Sequence, residues 1–425
     1  MTRGAATLRF SVIVASRERP QHLRRTLRAI RQLDHPAFEV VVVGDRGAAD
    51  AVRDAGDGAV RLIIFDEPNL SAARNIGVGA AGGDVCAFID DDAVPEPMWL
   101  RHHEAALALT GASASAGYVR GPDGIRFQSR FASIDREAET HEETADGDAA
   151  FVPALGGGRA VKLVGTNMAV RRDTLLGLGG FDEAFRYFLE DADLSLRLCR
   201  AGQAVAVAPL AEGHHALAGS PRRTAGRAPK DLFDIGRSTA IFLRRHGAGN
   251  TEEIRDRVIH RERRRTLRAM IRGLAEPRDV SRLLGTLAAG WSEGMRIELG
   301  AIPPLASENG GFQPVPPIEP GHIVLKSRYA GRRACLRDAE KIALSGRDRV
   351  SLFSFSLTSV PHFVRYTDGG VWLHAGGQFV SSDAGQKRFR WCRFASRTDE
   401  EIDRVAKCRG LKDCGFVLKS TDGGC

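Results

Sequence analysis

The sequence contains no apolar run long enough to cross a lipid bilayer. Its longest apolar stretches, such as 10–15 and 38–43, are short, whereas a spanning helix needs roughly 20 residues. The N-terminus carries one early arginine but neither a long apolar segment nor a clear cleavage site, so we expect no secretion signal. We therefore expect a cytoplasmic protein, with a peripheral position at the inner face of the membrane as the alternative.

Cysteine is sparse, and its spacing suggests no pairing. The seven cysteines lie at positions 86, 199, 335, 392, 408, 414 and 425, and none belongs to a CxxC pair. We therefore expect neither a disulfide framework nor a zinc knuckle. With 43% hydrophobic residues among 425, the chain can bury the cores of two or three domains of about 100–200 residues without cross-links.

An excess of acidic residues is also absent, and the formal net charge is +8. This balance favours an anionic partner, either a diphosphate substrate or an acidic membrane surface. Because the basic residues are spread along the chain and no nucleic-acid motif accompanies them, we predict no nucleic-acid partner.

Short strands and helices alternate in the first half of the chain. Buried-strand patterns occur at 11–15, 39–45, 60–65 and 84–90, with helical patterns at 21–33 and 70–82 between them. The pattern at 21–33 carries Leu23, Leu27 and Ile30 on one face, which predicts an amphipathic helix. Apolar strands separated by helices predict an α/β fold with a parallel sheet that helices cover on both faces. Ligands of such sheets bind at the carboxyl ends of the strands.

The fourth predicted strand ends in three consecutive carboxylates, Asp90, Asp91 and Asp92. Ionising all three is costly unless a cation neutralises them. Magnesium and manganese ions prefer oxygen ligands and also bridge to a diphosphate. The alternative is that these residues only cap the following helix.

A second acidic pair, Glu190 and Asp191, opens a helical pattern over 190–200. The exposed amides and the dipole of a helix N-terminus stabilise carboxylates, which by itself would explain the pair. If this terminus faces a cleft, one carboxylate can instead remove a proton from an acceptor hydroxyl.

Several segments, taken in chain order, resemble the family 2 glycosyltransferases. This family has the GT-A fold, which implies a mixed, mostly parallel sheet flanked by helices. The segments are SVIVASRERPQHLRRTL, EVVVVGD, NLSAARNIGVGAAGGDVCAFIDDDAVPEP, GTNMAVRR, GGFDE and LEDADLSLRL, within about residues 8–225. The resemblance implies an inverting enzyme that moves a sugar from a nucleotide-diphosphate sugar to an acceptor hydroxyl. The implied acceptor is a polysaccharide, glycolipid or similar glycoconjugate of the cell envelope, and the implied cofactor is Mn²⁺ or Mg²⁺.

The resemblance also implies roles for individual residues. The implied nucleotide-binding residues are Ser16, Arg17, Glu18, Asp45, Arg74, Asn75, Asp90 and Asp91. Asp92 is the implied direct metal ligand, and Asp90 lies nearer the ribose. Asp191 is the implied catalytic base, Glu190 orients the acceptor, and Gly165, Thr166 and Asn167 lie near the sugar and acceptor. The opening SRERP departs from the commoner family phrase, so the nucleotide stays open.

Two adjacent histidines, His214 and His215, follow the predicted strand at 204–209. The resemblance implies a metal-binding histidine there, and neutral imidazole can ligate manganese. An ordinary pair of loop histidines explains the pattern equally well, and the sequence does not choose between the two residues.

The rest of the chain predicts a domain organisation. We expect a catalytic domain over 1–225, an arginine-rich helical region over 226–302, a Pro-rich linker over 303–320 and a smaller α+β accessory domain over 321–425. The acidic segment 135–150 lacks periodicity, so we expect a mobile surface loop there.

Two features of the second half have alternative explanations. The arginine-rich helices either hold a lipid-linked or polyanionic acceptor at an anionic surface or are solvated faces with interleaved acids, which we favour. Trp372, His374 and Trp391 either line a carbohydrate surface or, more commonly for strand aromatics, belong to a core. His362 and His374 have no ligand-spaced neighbours, so we expect no second metal site.

Two other functions compete with sugar transfer. A nucleotidyltransferase on a similar sheet would carry a glycine-rich loop after the first strand, where this chain has SRERP. A nucleotide-sugar-binding scaffold without catalysis would not need Asp90, Asp92, Glu190 and Asp191 together. The mechanism that the resemblance implies is a single displacement in which the metal and Arg74 stabilise the leaving diphosphate.

Overall fold

The protein is described from a computed structural model. The described residues are 7–54, 60–219, 222–224, 226–247, 249–308, 310–316, 321–382, 389–411 and 418–420, so Cys414 and Cys425 lie outside them. Among the helices within these ranges, none is both long enough and apolar enough to cross a bilayer.

A mixed sheet forms the centre of the first domain. The strands of this domain are β1 (Phe10–Ser16), β2 (Phe38–Gly44), β3 (Arg61–Ile64), β4 (Val85–Phe88), β5 (Ala93–Pro95), β6 (Ala114–Arg120), β7 (Phe127–Ser129), β8 (Ala132–Ile134), β9 (Thr140–Glu142), β10 (Ala160–Val161), β11 (Met168–Arg171) and β12 (Val205–His215). The main sheet has the order β3-β2-β1-β4-β11-β6-β12-β5, with β7 beside β6. Strands β1 to β4 pair in parallel, and β11 and β5 run antiparallel to their neighbours. The predicted mixed sheet is confirmed.

Helices connect these strands and cover the sheet. They are α1 (Pro20–Ile30), α2 (Ala48–Asp54), α3 (Leu70–Ala80), α4 (Trp99–Thr110), α5 (Arg172–Leu178) and α6 (Glu190–Arg200). Pro20 opens α1, where its fixed φ suits the first helical turn. Leu23, Leu27 and Ile30 follow at helical spacing and are buried against the sheet, which confirms the predicted amphipathic helix.

The arginine-rich region consists of α7 (Phe233–His246), α8 (Thr251–Ile271) and α9 (Pro277–Arg296). Asn250 caps α8, because its side chain accepts hydrogen bonds from the amides of Glu252 and Glu253. Helices α7 and α9 approach closely at glycines: a Cβ on Gly290 would overlap the Phe233 carbonyl oxygen. The absence of a side chain there permits the close packing.

The acidic segment 135–150 is not a free loop, contrary to the expectation. Strand β9 lies inside it and joins a small antiparallel sheet of order β10-β8-β9. Glu137 pairs with Arg257, and Glu139 lies 3.1 Å from Arg261, both arginines being on α8. The acids therefore anchor this segment to a basic helix, a long-range pairing that local periodicity cannot show.

The segment predicted as a linker packs along the first domain wherever it is described. The Leu305 amide donates to the Leu176 carbonyl at 2.9 Å, and the Val315 amide donates to the Phe38 carbonyl at 2.8 Å. The Val315 side chain joins the core around β1 and β2. Residues 309 and 317–320 lie outside the described ranges.

The C-terminal module, residues 321 onwards, is α+β. Its elements are β13 (Gly321–Arg328), α10 (Arg332–Leu344), β14 (Asp348–Ser356), β15 (Phe363–Tyr366), β16 (Val371–Gly377), α11 (Phe394–Arg409) and β17 (Leu418–Ser420), with strand order β15-β16-β14-β13-β17. A hairpin turn joins β15 and β16, with Gly370 at φ 84°. Trp372 and His374 are buried as predicted for core aromatics, whereas Trp391 is exposed.

Candidate active site

Strand β12 brings the two histidines to the triple-aspartate segment. Its antiparallel pairing with β5 sets His214 opposite Val94 and His215 opposite Ala93. Because Ala93 directly follows Asp92, the His215 ring reaches the acids, although the two residues are 123 positions apart in the chain.

Asp90, Asp92 and His215 are candidate metal ligands. One ligand atom from each lies within 4.8 Å of the others. His215 Nε2 is 3.1 Å from Asp92 Oδ1 and 3.9 Å from Asp90 Oδ2. Burial by itself would raise the pKa of Asp92, but the His215 hydrogen bond, the charges of His215 and Arg19 and the Ala218 amide lower it below its ordinary value. Two oxygen donors and one imidazole suit a divalent manganese or magnesium ion.

The middle acid, Asp91, is buried away from this group. Ser16 Oγ donates to Asp91 Oδ2 at 2.8 Å, and Arg19 Nη1 donates to Oδ1 at 3.1 Å. Burial raises the pKa of Asp91 to about 7, against the charge of Arg19. Asp91 therefore ties the loop after β1 to the acidic segment. Arg19 was missed at the sequence level, although it belongs to the unusual SRERP phrase.

His214 points to the opposite side of β12 from His215, because neighbouring side chains of a strand alternate. Its Nε2 lies 2.9 Å from Glu96 Oε1, and its ring packs 4.9 Å from the ring of Trp372 in the C-terminal module. The structure thus separates the two histidines by position: His215 contacts the acids, and His214 contacts the neighbouring module.

Arg74 joins the acidic strand end to the start of α6. Its Nη1 donates to Glu190 Oε1 at 2.9 Å, and its Nη2 donates to Asp90 Oδ1 at 3.3 Å. Thr166 Oγ1 donates to the other Asp90 oxygen at 2.5 Å. Burial and the charge of Asp191 raise the pKa of Glu190 to about 7, against the opposing charge of Arg74.

Backbone amides hold the Asp191 carboxylate. Gly165 N donates to Oδ2 at 2.9 Å, and Ala192 N donates to Oδ1 at 2.8 Å. Just before α6, Phe188 and Leu189 adopt left-handed φ values of 73° and 66°, which bulky residues rarely do. The sharp turn directs the first residues of α6 toward the larger of two adjoining cavities, and strain of this kind clusters at functional sites.

A narrow cleft of about 180 Å³ lies over the carboxyl end of β1 and is lined by Ser16, Arg17, Glu18, the three aspartates and His215. Asp45 is not among its lining residues. The Asp45 carboxylate accepts hydrogen bonds from the amides of Glu18 at 2.6 Å and Ala48 at 3.1 Å, so it holds the loop that forms the cleft.

Two predicted contact residues, Asn75 and Asn167, are buried in the scaffold instead of lining either cavity. Asn75 exchanges hydrogen bonds with the backbone of Phe181 at 2.8 and 2.7 Å. Asn167 Oδ1 accepts from Trp99 Nε1 at 2.7 Å and lies 3.0 Å from His103 Nε2. Both asparagines position the segments that carry the cavity residues.

A larger cavity of about 1070 Å³ adjoins the cleft. It is lined by seven residues that the sequence singled out: Arg74, Asp90, Gly165, Thr166, Glu190, Asp191 and His215. Lining residues that sequence reasoning missed include Arg120, Arg130, Tyr187, Arg223, Ser382 and Arg404. Ser382 and Arg404 belong to the C-terminal module, so two distant parts of the chain build one cavity, which no local signal could reveal.

Three potential metal ligands of the C-terminal module lie together in the structure, a grouping that the sequence did not predict. His362, His374 and Glu401 lie together and are buried, with His–carboxylate distances of 3.7 and 3.6 Å. Their grouping escaped the sequence because Glu401 lies on a separate helix. Arg397 and Arg404 contact the Glu401 oxygens at 2.6 and 2.8 Å. These guanidinium groups already neutralise the carboxylate and would repel a divalent cation.

Two parts of the chain match the models of known families. Residues 11–159 match Glycosyl transferase family 2, and residues 86–272 match Glycosyl transferase family group 2. The matched region holds the mixed sheet, the triple-aspartate segment and α6.

Several known proteins are similar to part of this chain. The pre-mycofactocin glycosyltransferase of Mycobacterium tuberculosis is 26% identical over 210 residues, which are 47% of this chain and 41% of that protein. Glycosyltransferase AglE of Haloferax volcanii is 26% identical over 246 residues, which are 55% of this chain and 73% of that protein. The mannosyltransferase PcManGT of Pyrobaculum calidifontis, solved with GDP-Man and Mn²⁺, has a TM-score of 0.42 at 16% identity, covering 69% of this chain and 88% of its own.

The family models and the sequence relatives confirm the resemblance that the ordered motifs predict. The first matched relative extends well beyond the region that it shares with this chain. Residues 11–272 thus match the family 2 glycosyltransferases, the family whose GT-A fold the ordered motifs predict.

Proposed function

We propose that the protein is an inverting glycosyltransferase, which moves a sugar from a nucleotide-diphosphate sugar to an acceptor hydroxyl. The observation that carries the proposal is the Arg74 bridge between Asp90 at the strand end and Glu190 at the start of α6. It joins the acids suited to a cation, which line the narrow cleft, to the carboxylates suited to proton transfer, which line the adjoining larger cavity. The relatives named as glycosyltransferases support the same reaction class.

Asp92, Asp90 and His215 would hold Mn²⁺ or Mg²⁺. The fit rests on their donor set and on the lowered pKa of Asp92, which keeps it a carboxylate at neutral pH. When bound there, such an ion neutralises charge on the leaving diphosphate. Arg74 and Arg223, of which Arg223 lines both cavities, would add positive charge beside the same group.

Asp191 would act as the base on the acceptor hydroxyl. The amides of Gly165 and Ala192 orient its carboxylate at the wall of the larger cavity, and a positioned carboxylate can remove the proton as the hydroxyl attacks. Attack from the side opposite the departing diphosphate inverts the anomeric carbon. Glu190, beside it, would orient the acceptor.

The larger cavity would receive the acceptor, a polysaccharide, glycolipid or similar glycoconjugate. Its volume of about 1070 Å³ is ample for a ligand of drug size or more. Because Ser382 and Arg404 contribute to its wall, we assign the accessory domain, 321–425, a part in acceptor binding beside the catalytic domain over 1–225.

A panel of nucleotide sugars tests the proposal. We expect one donor to raise the melting temperature only with Mn²⁺ present, because a ligand of the folded state stabilises it, and to release its nucleoside diphosphate on incubation. Asp191→Asn should keep the thermal shift and lose about 10²–10⁴-fold in release.

The matched control is Asp173→Asn, at an exposed acid in the first turn of α5, which should keep both properties. Near-normal turnover by folded Asp191→Asn would contradict the assigned base. A donor that stabilises the wild-type protein but is never consumed would instead support a non-catalytic scaffold.

A further inference from the structure

The end of α8 carries a basic surface outside the active site. Residues 263–272 contain arginines at 263, 264, 265, 268 and 272 and no acidic residue. Arg264, Arg268, Ile271 and Arg272 share one helix face, since they are spaced i, i+4, i+7 and i+8, and all four are exposed. We call these four residues and Leu274 of the following turn the α8 tip.

The earlier half of the same helix face is neutralised, and the tip is not. Arg257 and Arg261 pair with Glu137 and Glu139 of the acidic segment. The side chains of Arg264, Arg268 and Arg272 make no ion pair or hydrogen bond with any residue that the structure describes. Interleaved acids therefore account for the first half of α8 and leave the charge of the tip uncompensated.

Apolar side chains stand among these arginines. Ile271 is 80% exposed and Leu274 is 43% exposed. Apolar residues flanked by long basic side chains fit a membrane boundary, because the apolar groups enter the acyl region while the guanidinium groups stay with anionic headgroups. A nucleic acid would meet the arginines but would leave Ile271 in water.

The α8 tip also lies beside residues 222–224 and 226–228, which border the active site. A Cβ on Gly226 would lie 3.2 Å from Leu274 Cδ1, and Arg223 lines both cavities. Burial and the neighbouring guanidinium groups of Arg223 and Arg265 lower the pKa of Arg227. Like charges are therefore crowded between the tip and the cavity, which favours an anionic surface there.

We propose that the α8 tip docks on the surface of an anionic lipid bilayer. Ile271 and Leu274 would enter the acyl boundary, and Arg264, Arg268 and Arg272 would contact headgroup phosphates. Docking would turn the larger cavity toward the headgroups, where a lipid-carried acceptor would reach it. This consequence rests on the proposed function, whereas docking itself does not.

Vesicle sedimentation of the full chain tests the docking. We expect binding to phosphatidylcholine vesicles that contain phosphatidylglycerol, weaker binding at higher salt, and little binding to phosphatidylcholine alone. The double variant R264E/R268E should lower the partition coefficient on the anionic vesicles by about tenfold or more. Ile271→Ser should weaken binding without changing its salt dependence.

The matched control is R333E/R337E on α10, which makes the same change of charge at two exposed positions and should bind as the wild type does. Equal binding to neutral vesicles, unchanged binding by folded R264E/R268E, or an equal loss in the control would overturn the proposal. Retention on duplex DNA without vesicle binding would overturn it too. Because the assay contains no sugar donor, its failure would not count against the transferase.

Discussion

Arg409, at the end of α11, makes a double hydrogen bond with Glu96 of the first domain. Its Nε donates to Glu96 Oε2 at 2.8 Å and its Nη2 donates to Oε1 at 3.0 Å, and both side chains are buried. Burial by itself would raise the pKa of Glu96, but Arg409 and His214 lower it far below its ordinary value. The pair fastens the C-terminal module to the residue that follows β5, the strand that pairs with β12 beside His215.

Removing one partner of this ion pair should destabilise the protein strongly. Arg409→Met would leave a buried carboxylate without its cation, so we expect the free energy of unfolding to fall by about 3–5 kcal/mol. Urea denaturation measures this change. The double variant E96Q/R409M should lose less than the sum of the single losses. A loss below about 1 kcal/mol for Arg409→Met, or strict additivity, would contradict a coupled pair.

Replacing each of the two adjacent histidines by alanine should affect the affinity for Mn²⁺ differently. His215→Ala removes an imidazole 3.1 Å from Asp92, so we expect the affinity for Mn²⁺ to fall by about tenfold or more. The signal of free aqueous Mn²⁺ in electron paramagnetic resonance reports binding directly. His214→Ala is the matched control: it should keep the Mn²⁺ affinity and lower the melting temperature, because Glu96 loses a partner. The reverse pattern would exclude His215 as the ligand.

The raised pKa of Glu190 predicts that the metal-free protein loses stability as the pH rises. Its pKa is about 7 when folded against an ordinary value of 4.5. Between these values the folded state binds more protons than the unfolded state, so the free energy of unfolding decreases with pH. Glu190→Gln removes this ionisation. Its free energy of unfolding should therefore exceed that of the wild type by about 1–3 kcal/mol above pH 7 and should equal it near pH 4.5.

Urea denaturation at several pH values measures this difference. Glu298→Gln, at an exposed position, is the control and should follow the wild type throughout. A constant offset between Glu190→Gln and the wild type at every pH would show that Glu190 does not titrate in this window.

The glycines of α9 should differ sharply in their tolerance of alanine. A Cβ on Gly290 would overlap the Phe233 carbonyl oxygen, whereas a Cβ on Gly285 would meet nothing within 4 Å. Gly290→Ala should therefore lower the free energy of unfolding by about 1–3 kcal/mol through overpacking. Gly285→Ala should raise it by about 0.5–1 kcal/mol through helix propensity. Thermal melts of both variants test the α7–α9 contact. Equal changes of stability in the two variants would refute it.

Much of the fold follows from local patterns. The apolar runs of β1, β2 and β4 and the spacing of Leu23, Leu27 and Ile30 in α1 appear as predicted, because these features depend on neighbours a few residues away. Helix α10 and strand β6 escaped prediction. The acidic segment was misjudged, because its order comes from arginines on a helix more than a hundred residues later.

The sequence by itself determined the chemical groups of the site. The acids at 90–92 and 190–191 are read directly from it, and the local patterns predict their positions at the end of a strand and at the start of a helix. The tertiary structure alone decided which groups meet. The strand register places His215, and not His214, beside the acids. Packing buries Asn75 and Asn167 in the scaffold, and the contact with the C-terminal module places Arg404 at the cavity. Those outcomes depend on contacts between residues far apart in the chain, which short-range periodicity and propensity do not encode.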